Sequence, residues 1–251
     1  MKTLFLDAPY AGTVELCKET FNYLKQKNYQ TVALYASVQF VNQLEKVRKQ
    51  LEEAHIEVIT SQARRTHVET QLLGCDNDKE ALNLSQEQWQ HIDAFLYIGD
   101  GRFHPLALVF AQKDLDDEEK EEGKERINKK EILCNDPMTQ QLKIMGEVEV
   151  KSILNKYRAS LMKFIAAERV GVLVTIKPGQ QQLRASFAIE EKFPEKKFYY
   201  FIDNVLSFDQ LENFPFIETW VNTACPRIGF DDQEKFVHVV INLRDAVYLK
   251  Q

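Results

Sequence analysis

Short motifs that mark several common enzyme classes are missing from this sequence. Its four cysteines contain no CxxC pair, which excludes a zinc ribbon and a thioredoxin-type redox site. The histidines show neither HxxxH nor HExxH spacing, so a zinc hydrolase is not expected. GxSxG, the Walker pattern GxxxxGKS/T and a complete GxGxxG are also missing, which argues against a hydrolase elbow, a P-loop enzyme and an ordinary dinucleotide site. The functions that these absences leave open are chemistry at a cysteine and the binding of a ligand.

A membrane span and a basic surface for nucleic acid are missing too. No apolar run approaches the length that crosses a bilayer, and the short apolar stretch at the start of the chain is followed at once by Asp7. The net charge is −6, and the acidic residues cluster in one segment. The composition therefore does not predict a basic surface that would bind nucleic acid. We expect a cytoplasmic protein with no membrane or nucleic-acid partner.

The hydrophobic pattern predicts the α/β class. Short β-rich runs alternate with longer helical stretches in two successive sets, which is typical of βα units around a mainly parallel sheet. We predict two consecutive related α/β domains, residues 1–145 and 146–251, each with a mainly parallel sheet flanked by helices. Residues 113–130 are so rich in charge that we expect a solvent-exposed insertion. The predicted strands are TLFLDA, TVALYA, IEVIT, AFLYIG and EILC in the first set, and VGVLVTI, FYYFID and FIETWVNTA in the second.

The helices are predicted from spacing and capping signals. TVELCKETFNYLKQ has helical periodicity, and SVQFVNQLEKVRKQLEEA is strongly amphipathic, with Ser37 placed as its N-cap. A long helix from about Val148 to Glu168 should separate the two sets of strands. Leu183 to Lys192 should form another helix, and a short one should lie near Phe208.

Two cysteines lie in loops that follow predicted strands. Cys75 follows Gly74 in RRTHVETQLLGCDND, and Cys225 in TACPRIGFDD appears as its counterpart in the second set, with Pro226 directly after it. Glycine and proline favour the irregular backbone that exposes a thiolate ligand. Spacing alone nevertheless favours burial of each cysteine as a small apolar side chain. Cys17, within a helical pattern, and Cys134, at a strand end, are expected in the core.

GDGRFH, between a strand and a helix, is a third candidate site. Gly99 and Gly101 would let the backbone approach an anion at the helix start, and Arg102 or His104 could add charge or a hydrogen bond. A plain strand-to-helix turn is an equally open interpretation, because GxG without a third glycine is weak evidence.

Five motifs, in this order along the chain, resemble those of the 2-(3-amino-3-carboxypropyl)histidine synthase family, most closely its archaeal form. They are VALYASVQFVNQLE, TQLLGCD, AFLYIGDGRFHPLAL, NDP and WVNTACPRIGFDD, and the similarity runs through nearly the whole chain apart from the charged insertion.

The resemblance implies a 4Fe-4S cluster held by one cysteine from each of three α/β domains, with one iron open for S-adenosylmethionine. Cys75 matches the ligand of the family's second domain and Cys225 that of its third. Met1 falls near the start of the second domain, so the first domain has no counterpart here. Gln71 and Arg227 are candidates for contacting the carboxylate of S-adenosylmethionine or the cluster, or else make a loop hydrogen bond and a surface ion pair.

The family's reaction, as the resemblance implies it, begins diphthamide biosynthesis. The reduced cluster donates an electron to S-adenosylmethionine, and the aminocarboxypropyl fragment adds to a histidine of elongation factor 2. A homodimer, or a heteromer with a chain carrying the missing domain, would complete the site, and an electron donor protein is implied.

Two alternatives remain open. One is a non-catalytic scaffold or electron-relay subunit of a heteromeric synthase. The other is a small-molecule binding protein that uses GDGRFH as an anion site.

Overall fold

The structure is a computed structural model that describes residues 8–101, 103–113, 129–177, 180–205, 207–230 and 236–249. The chain divides into two compact units, unit 1 of residues 1–154 and unit 2 of residues 155–251. The division falls inside the long helix Glu147–Ala166, the helix that was predicted to separate the two sets of strands. Among the described residues, no helix is long and apolar enough to cross a membrane.

Unit 1 is built on a five-stranded sheet. Its strands are β1 (Thr31–Ala36), β2 (Glu57–Ile59), β3 (Ala94–Ile98), β4 (Glu131–Asp136) and β5 (Gln141–Met145). They are arranged in the order β2-β1-β3-β4-β5, and β5 runs antiparallel to its neighbour β4. The helices are α1 (Lys18–Lys27), α2 (Leu44–Glu53), α3 (Gln86–His91), α4 (Phe103–Phe110) and the first part of α5 (Glu147–Ala166), with 3-10 turns at Val41–Gln43 and Lys79–Leu82.

The central strands of unit 1 explain why it folds as a parallel sheet. Every residue of β1, β3 and β4 is buried, as expected when helices cover both faces. Leu34 and Leu96 on these strands belong to the same core cluster as Val47 and Leu51 of α2. Burial of this apolar surface is the main term that stabilises the unit.

Unit 2 repeats the arrangement with four parallel strands. They are β6 (Arg169–Thr175), β7 (Lys197–Asp203), β8 (Thr219–Asn222) and β9 (Val240–Asn242), in the order β7-β6-β8-β9. The helices are the rest of α5, α6 (Leu183–Ser186), α7 (Ala188–Lys192), α8 (Phe208–Leu211), α9 (Arg227–Phe230) and α10 (Leu243–Tyr248).

The first four strands of each unit share one order, in which the second strand lies on one side of the first and the third and fourth lie on the other. The predicted fold class, two related α/β domains with mainly parallel sheets, is therefore confirmed.

Several local predictions were wrong or incomplete. Ser37 does not cap α2, because the chain first makes a turn that buries Phe40, and α2 begins only at Leu44. The Ser37 backbone N–H instead donates to Ile98 O at the end of β3, 3.1 Å away. Helix α1 begins at Lys18, so Cys17 precedes it. Strands β5 and β9 were not predicted, since β5 is largely exposed and β9 has only three residues.

Two predictions fall wholly or mainly outside the described residues. The first predicted strand, TLFLDA, reaches them only at its last residue. Within the predicted insertion, residues 114–128 lie outside them, whereas the flanking Lys113 and Lys129 are buried rather than exposed. The Lys129 ammonium donates to the backbone oxygen of Gln112, 2.6 Å away.

Candidate functional site

The carboxyl ends of β1 and β3 define the candidate site of unit 1. These strands are neighbours, but the strand that follows β1 lies toward one edge of the sheet and the strand that follows β3 lies toward the other. Open parallel sheets bind ligands at a point where the strand order reverses in this way. Three sequence-predicted segments come to this edge: the turn at Cys75, the Gly99–Gly101 turn and the start of α4.

The Cys75 turn, residues 71–78, is attached directly to the end of β1. Gln71 forms a parallel bridge with Ala36. The backbone N–H of Leu72 donates to Ala36 O at 2.9 Å, and that of Ala36 donates to Thr70 O at 2.8 Å. These bonds fix the start of the turn although Cys75 lies far from β1 in sequence.

Gly74 and Phe103 join the Cys75 turn to helix α4. A Cβ atom at Gly74 would lie 2.3 Å from the Phe103 ring, so only glycine fits without a shift of that ring. Phe103 is the first residue of α4. This contact places the backbone before Cys75 against the strand-to-helix turn that follows β3. Cys75 itself is a free thiol and partly exposed.

The turn that follows β3 has the backbone that its glycines suggest. Gly101 has φ 72°, a left-handed conformation that glycine adopts most readily. The His104 ring stacks on that of Tyr97, with 6.5 Å between ring centroids. Burial raises the pKa of Tyr97, so its hydroxyl stays neutral. Arg102 lies outside the described residues.

A buried carboxyl follows Cys75 directly. Asp76 is fully buried, and burial raises the pKa of its carboxyl. The backbone N–H of Arg65 donates a hydrogen bond to the Asp76 carboxylate at 3.3 Å, and this bond acts to lower the pKa. Two residues further on, the Asp78 carboxylate accepts from the backbone N–H of Ala81 and caps the 3-10 turn. The Cys75 turn is thus held on both sides.

The side chain of Gln71 is engaged within its own loop. It is buried, and its Oε1 accepts a hydrogen bond from the backbone N–H of His67 at 3.3 Å. This is the loop hydrogen bond, one of the two roles predicted for Gln71, and a ligand contact stays a prediction.

The Cys225 loop, residues 222–230, begins where β8 ends in unit 2. Thr223 is tied to the end of β6, because both its backbone N–H and its hydroxyl donate to Leu173 O, at 3.0 and 2.8 Å. Cys225 is a free, partly exposed thiol, and Pro226 separates it from the short helix α9. Arg227, the first residue of α9, is exposed.

The two cysteine loops do not correspond to each other, contrary to the sequence-based expectation. Cys75 lies between the second and third strands of unit 1, whereas Cys225 follows the third strand of unit 2. The segment of unit 1 that corresponds to the Cys225 loop is the Gly99–Gly101 turn. Sequence spacing could not reveal this, because the two units share a topology but place their cysteines in different loops.

The other two cysteines are buried, as expected. Cys17 is the N-cap residue of α1, with its Sγ 3.1 Å from the hydroxyl of Thr20, and Cys134 lies inside β4. Asp136 of the NDP motif holds the turn into β5, since its carboxylate accepts hydrogen bonds from Met138 and Thr139. These residues have structural roles in unit 1.

Sequence reasoning missed three buried asparagines at strand ends. Asn135 and Asp136 are the last two residues of β4, Asn222 is the last residue of β8 and Asn242 is the last residue of β9. The last two hydrogen-bond to the Cys225 loop. Asparagine directly after a β-rich run is a known turn signal, and it is present in both ND and NTA.

The donor chemistry of the partly exposed cysteines fits an iron–sulfur cluster. Thiolates in irregular loops are the usual ligands of such clusters, and Cys75 and Cys225 are accessible where Cys17 and Cys134 are not. Over the part of the chain that the structure describes, no group of three or more His, Cys, Asp and Glu side chains could hold a metal ion. The chemistry of Cys75 and of Cys225 therefore fits a role as a cluster ligand.

Comparison with known proteins gives a match over the whole length. The family of diphthamide synthesis proteins matches residues 1–250. The 2-(3-amino-3-carboxypropyl)histidine synthase of Pyrococcus horikoshii is 27% identical over 256 residues, covering 97% of this chain and 66% of that protein. Subunit 1 of the same synthase from Kluyveromyces lactis is 26% identical over 226 residues, covering 82% of this chain and 45% of its own length.

A solved structure shares the fold. Dph2 from Pyrococcus horikoshii, crystallised with a 4Fe-4S cluster, superposes with a TM-score of 0.68 at 24% identity. The match covers 93% of this chain and 61% of that one. The chain thus spans less than two thirds of the length of the relatives it matches.

Proposed function

The chain belongs to the family of diphthamide synthesis proteins, and on that premise we propose that it acts in the first step of diphthamide biosynthesis. The reaction is the transfer of the 3-amino-3-carboxypropyl group from S-adenosylmethionine to a histidine of elongation factor 2. The observation that carries the proposal is the placement of Cys75 and Cys225, the two partly exposed thiols of the chain, in loops at the carboxyl edge of each parallel sheet.

In this proposal Cys75 and Cys225 provide two thiolates for a 4Fe-4S cluster. When bound, the cluster supplies the electron that breaks the bond between the sulfonium and the aminocarboxypropyl chain. The third thiolate comes from outside the described residues, either from a partner chain or from a second copy. Unit 1 then corresponds to the second domain of the family and unit 2 to the third.

The other candidate residues receive roles in binding S-adenosylmethionine. Arg227 is exposed two residues after Cys225, where a guanidinium can pair with the substrate's carboxylate. The Gly99–Gly101 turn lies beside the Cys75 turn, because Phe103 at the start of α4 contacts Gly74. The His104 ring packs against the ring of Phe103. Gln71 stays a weaker candidate because its Oε1 is already engaged.

A scaffold or electron-relay subunit is the alternative. It is favoured by one observation, that two of the four cysteines, Cys75 and Cys225, are partly exposed while the other two are buried. A relay subunit would hold the cluster but would not cleave S-adenosylmethionine.

Product analysis separates the two functions. The chain is reconstituted anaerobically with iron, sulfide and excess dithiothreitol as a substitute third thiol, reduced with dithionite and given S-adenosylmethionine. The enzyme proposal predicts methylthioadenosine, because cleavage on the aminocarboxypropyl side leaves that product. Cleavage on the adenosyl side would give 5′-deoxyadenosine. Methylthioadenosine no higher than in the Cys75→Ala variant contradicts the enzyme proposal and favours the relay.

Arg227→Ala tests the substrate contact in the same assay. We expect methylthioadenosine formation to fall several-fold at limiting S-adenosylmethionine, with iron content unchanged, since one charge-assisted hydrogen bond is lost. Arg184→Ala, an exposed arginine elsewhere in unit 2, is the matched control. Equal losses in both variants would rule out a specific role for Arg227.

A further inference from the structure

Two buried asparagines end neighbouring strands beside Cys225. Asn222 is the last residue of β8 and Asn242 the last of β9, and the two are paired in register. Both side chains are more than nine-tenths buried. A buried carboxamide without hydrogen-bond partners would destabilise the fold, so both side chains are expected to be hydrogen-bonded.

Among the described residues, the side-chain hydrogen bonds of this pair go to the partner asparagine or to the Cys225 loop. Asn222 Nδ2 donates to Asn242 Oδ1 at 2.7 Å and to the backbone oxygen of Cys225 at 2.9 Å. Asn222 Oδ1 accepts from the backbone N–H of Ala224 at 3.0 Å. Asn242 Nδ2 donates to Pro226 O at 3.2 Å. The backbone partners fix which way each carboxamide faces, since an N–H can only donate and a carbonyl oxygen can only accept.

The carbonyls of Cys225 and Pro226 are therefore each held twice. Cys225 O also accepts from the backbone N–H of Ile228 at 3.0 Å, and Pro226 O from that of Gly229 at 3.1 Å. A peptide flip that turned either carbonyl oxygen toward the thiol would break two hydrogen bonds. Such a flip would bring a partial negative charge toward an anionic thiolate, which is unfavourable.

We propose that Asn222 and Asn242 are positioning residues for the Cys225 thiolate: they hold the two peptides that follow it in the orientation that lets an anionic cluster bind. This deepens the proposed function and rests on it for the identity of the ligand. The chain needs both asparagines because each holds a different carbonyl.

Gly229 provides an independent way to disturb the pair. A Cβ atom there would lie 2.6 Å from the Asn242 carboxamide, so Gly229→Ala pushes on that group without removing any donor or acceptor. Asn242→Asp keeps the size and the acceptor for Asn222 but cannot donate to Pro226 O when ionised.

Asn135 of unit 1 is the matched control. It pairs in register with Ile98 at the end of the third strand, as Asn242 does with Asn222 in unit 2. Its side chain is fully buried and makes three hydrogen bonds among the described residues, all within unit 1. Asn135→Ala therefore removes an equivalent strand-end carboxamide without touching the Cys225 loop.

The first readout uses the metal-free chain. Iodoacetamide is added, and the alkylation rate of Cys225 is followed by peptide mass spectrometry, with Cys75 as internal reference. We expect Asn242→Asp and Gly229→Ala to change the Cys225/Cys75 rate ratio several-fold and Asn135→Ala to leave it unchanged. An unchanged ratio in folded Asn242→Asp and Gly229→Ala overturns the proposal. If Asn242→Asp does not fold, Gly229→Ala decides.

The second readout uses the reconstituted chain. In the variants that disturb the asparagine pair, Asn242→Asp and Gly229→Ala, a chelator should remove iron several-fold faster than from the unmodified chain. The midpoint potential of the cluster should shift to more negative values, because the displaced loop stabilises the added negative charge of the reduced cluster less well. A purely structural role would lower the free energy of unfolding but move neither the rate ratio nor the potential. If the unmodified chain assembles no cluster at all, the proposed function fails, while the alkylation ratio still decides the positioning of Cys225.

Discussion

Gly74 lies against the ring of Phe103, and this contact links the Cys75 turn to helix α4. The ring leaves no space for a Cβ atom, which would lie 2.3 Å away. We expect Gly74→Ala to lower the free energy of unfolding by about 1–3 kcal/mol, as overpacking usually does. Urea denaturation measures this change.

A second substitution checks the cause. In Gly74→Ala combined with Phe103→Leu, the smaller side chain should relieve the clash, so the double variant should be less destabilised than the sum of the two single changes. Simple additivity would show that Phe103 does not limit the space at Gly74.

Glu131 makes a pH-dependent contribution at the opposite end of β4. Its carboxylate accepts hydrogen bonds from Tyr23 at 2.7 Å, Tyr29 at 2.8 Å and Lys27 at 3.1 Å. Burial raises the pKa of Glu131, but these donors outweigh burial and the net effect lowers it. A lowered folded-state pKa stabilises the fold above the unfolded-state value of about 4.3, and the contribution is lost as pH falls through the folded-state pKa.

Glu131→Gln should therefore reduce the free energy of unfolding by about 2 kcal/mol at neutral pH, the range for hydrogen bonds to a charged group. The difference from the unmodified chain should begin to shrink below about pH 4, where the unfolded chain takes up the proton, and should vanish once pH falls below the lowered folded-state pKa. Glu53→Gln, at an exposed position on α2, should show no such pH dependence. A pH-independent difference at Glu131 would contradict the assignment.

Residue-scale prediction from sequence succeeded where a neighbouring Gly or Pro signals backbone geometry. Gly74 and Pro226 pointed to the irregular loops that carry the partly exposed thiols, and Gly101 pointed to the turn that follows β3. The asparagines Asn222 and Asn242 were missed, because their partners are backbone atoms brought together by sheet pairing, which one sequence does not display.

Asn135 links two elements, the end of β4 and the start of α1. Its Oδ1 accepts from the backbone N–H of Cys17 and from the hydroxyl of Thr20, both at 2.8 Å, and its Nδ2 donates to Glu15 O at 3.1 Å. Asn135→Ala should cost about 3 kcal/mol, because it leaves buried backbone groups unpaired.

Thr20→Val is the graded comparison, since it removes one of these bonds, and we expect a cost of about 1 kcal/mol. Native-state hydrogen exchange should show faster exchange at the Cys17 amide in Asn135→Ala only. Equal exchange in both variants would contradict the role of Asn135 in docking α1.

Element-scale prediction depended on apolar continuity. Strands β1, β3 and β6 were predicted because parallel strands covered on both faces have nearly continuous apolar sequences. The edge strand β5 mixes polar and apolar residues and was missed. Helix α2 was predicted to begin at Ser37 because the helical pattern starts there, but burial of Phe40 in the preceding turn delays it.

At the scale of the whole molecule, two units with one strand order place their accessible cysteines in different loops. The alternation of strands and helices was sufficient to predict two related α/β domains, and ordered motifs were sufficient to identify the family. The source of a third cluster ligand stays open, because a single sequence does not show what a partner chain would contribute.

Iron content tests most directly the proposed role of Cys75 and Cys225 as the cluster ligands of this chain. The chain and its four single Cys→Ala variants are reconstituted anaerobically with excess dithiothreitol, and iron and sulfide are counted. We predict that Cys75→Ala and Cys225→Ala lose the bound iron and its brown colour, while folded Cys17→Ala and Cys134→Ala keep both. A chain that binds no cluster, or retention of the cluster in both Cys75→Ala and Cys225→Ala, would contradict the claim.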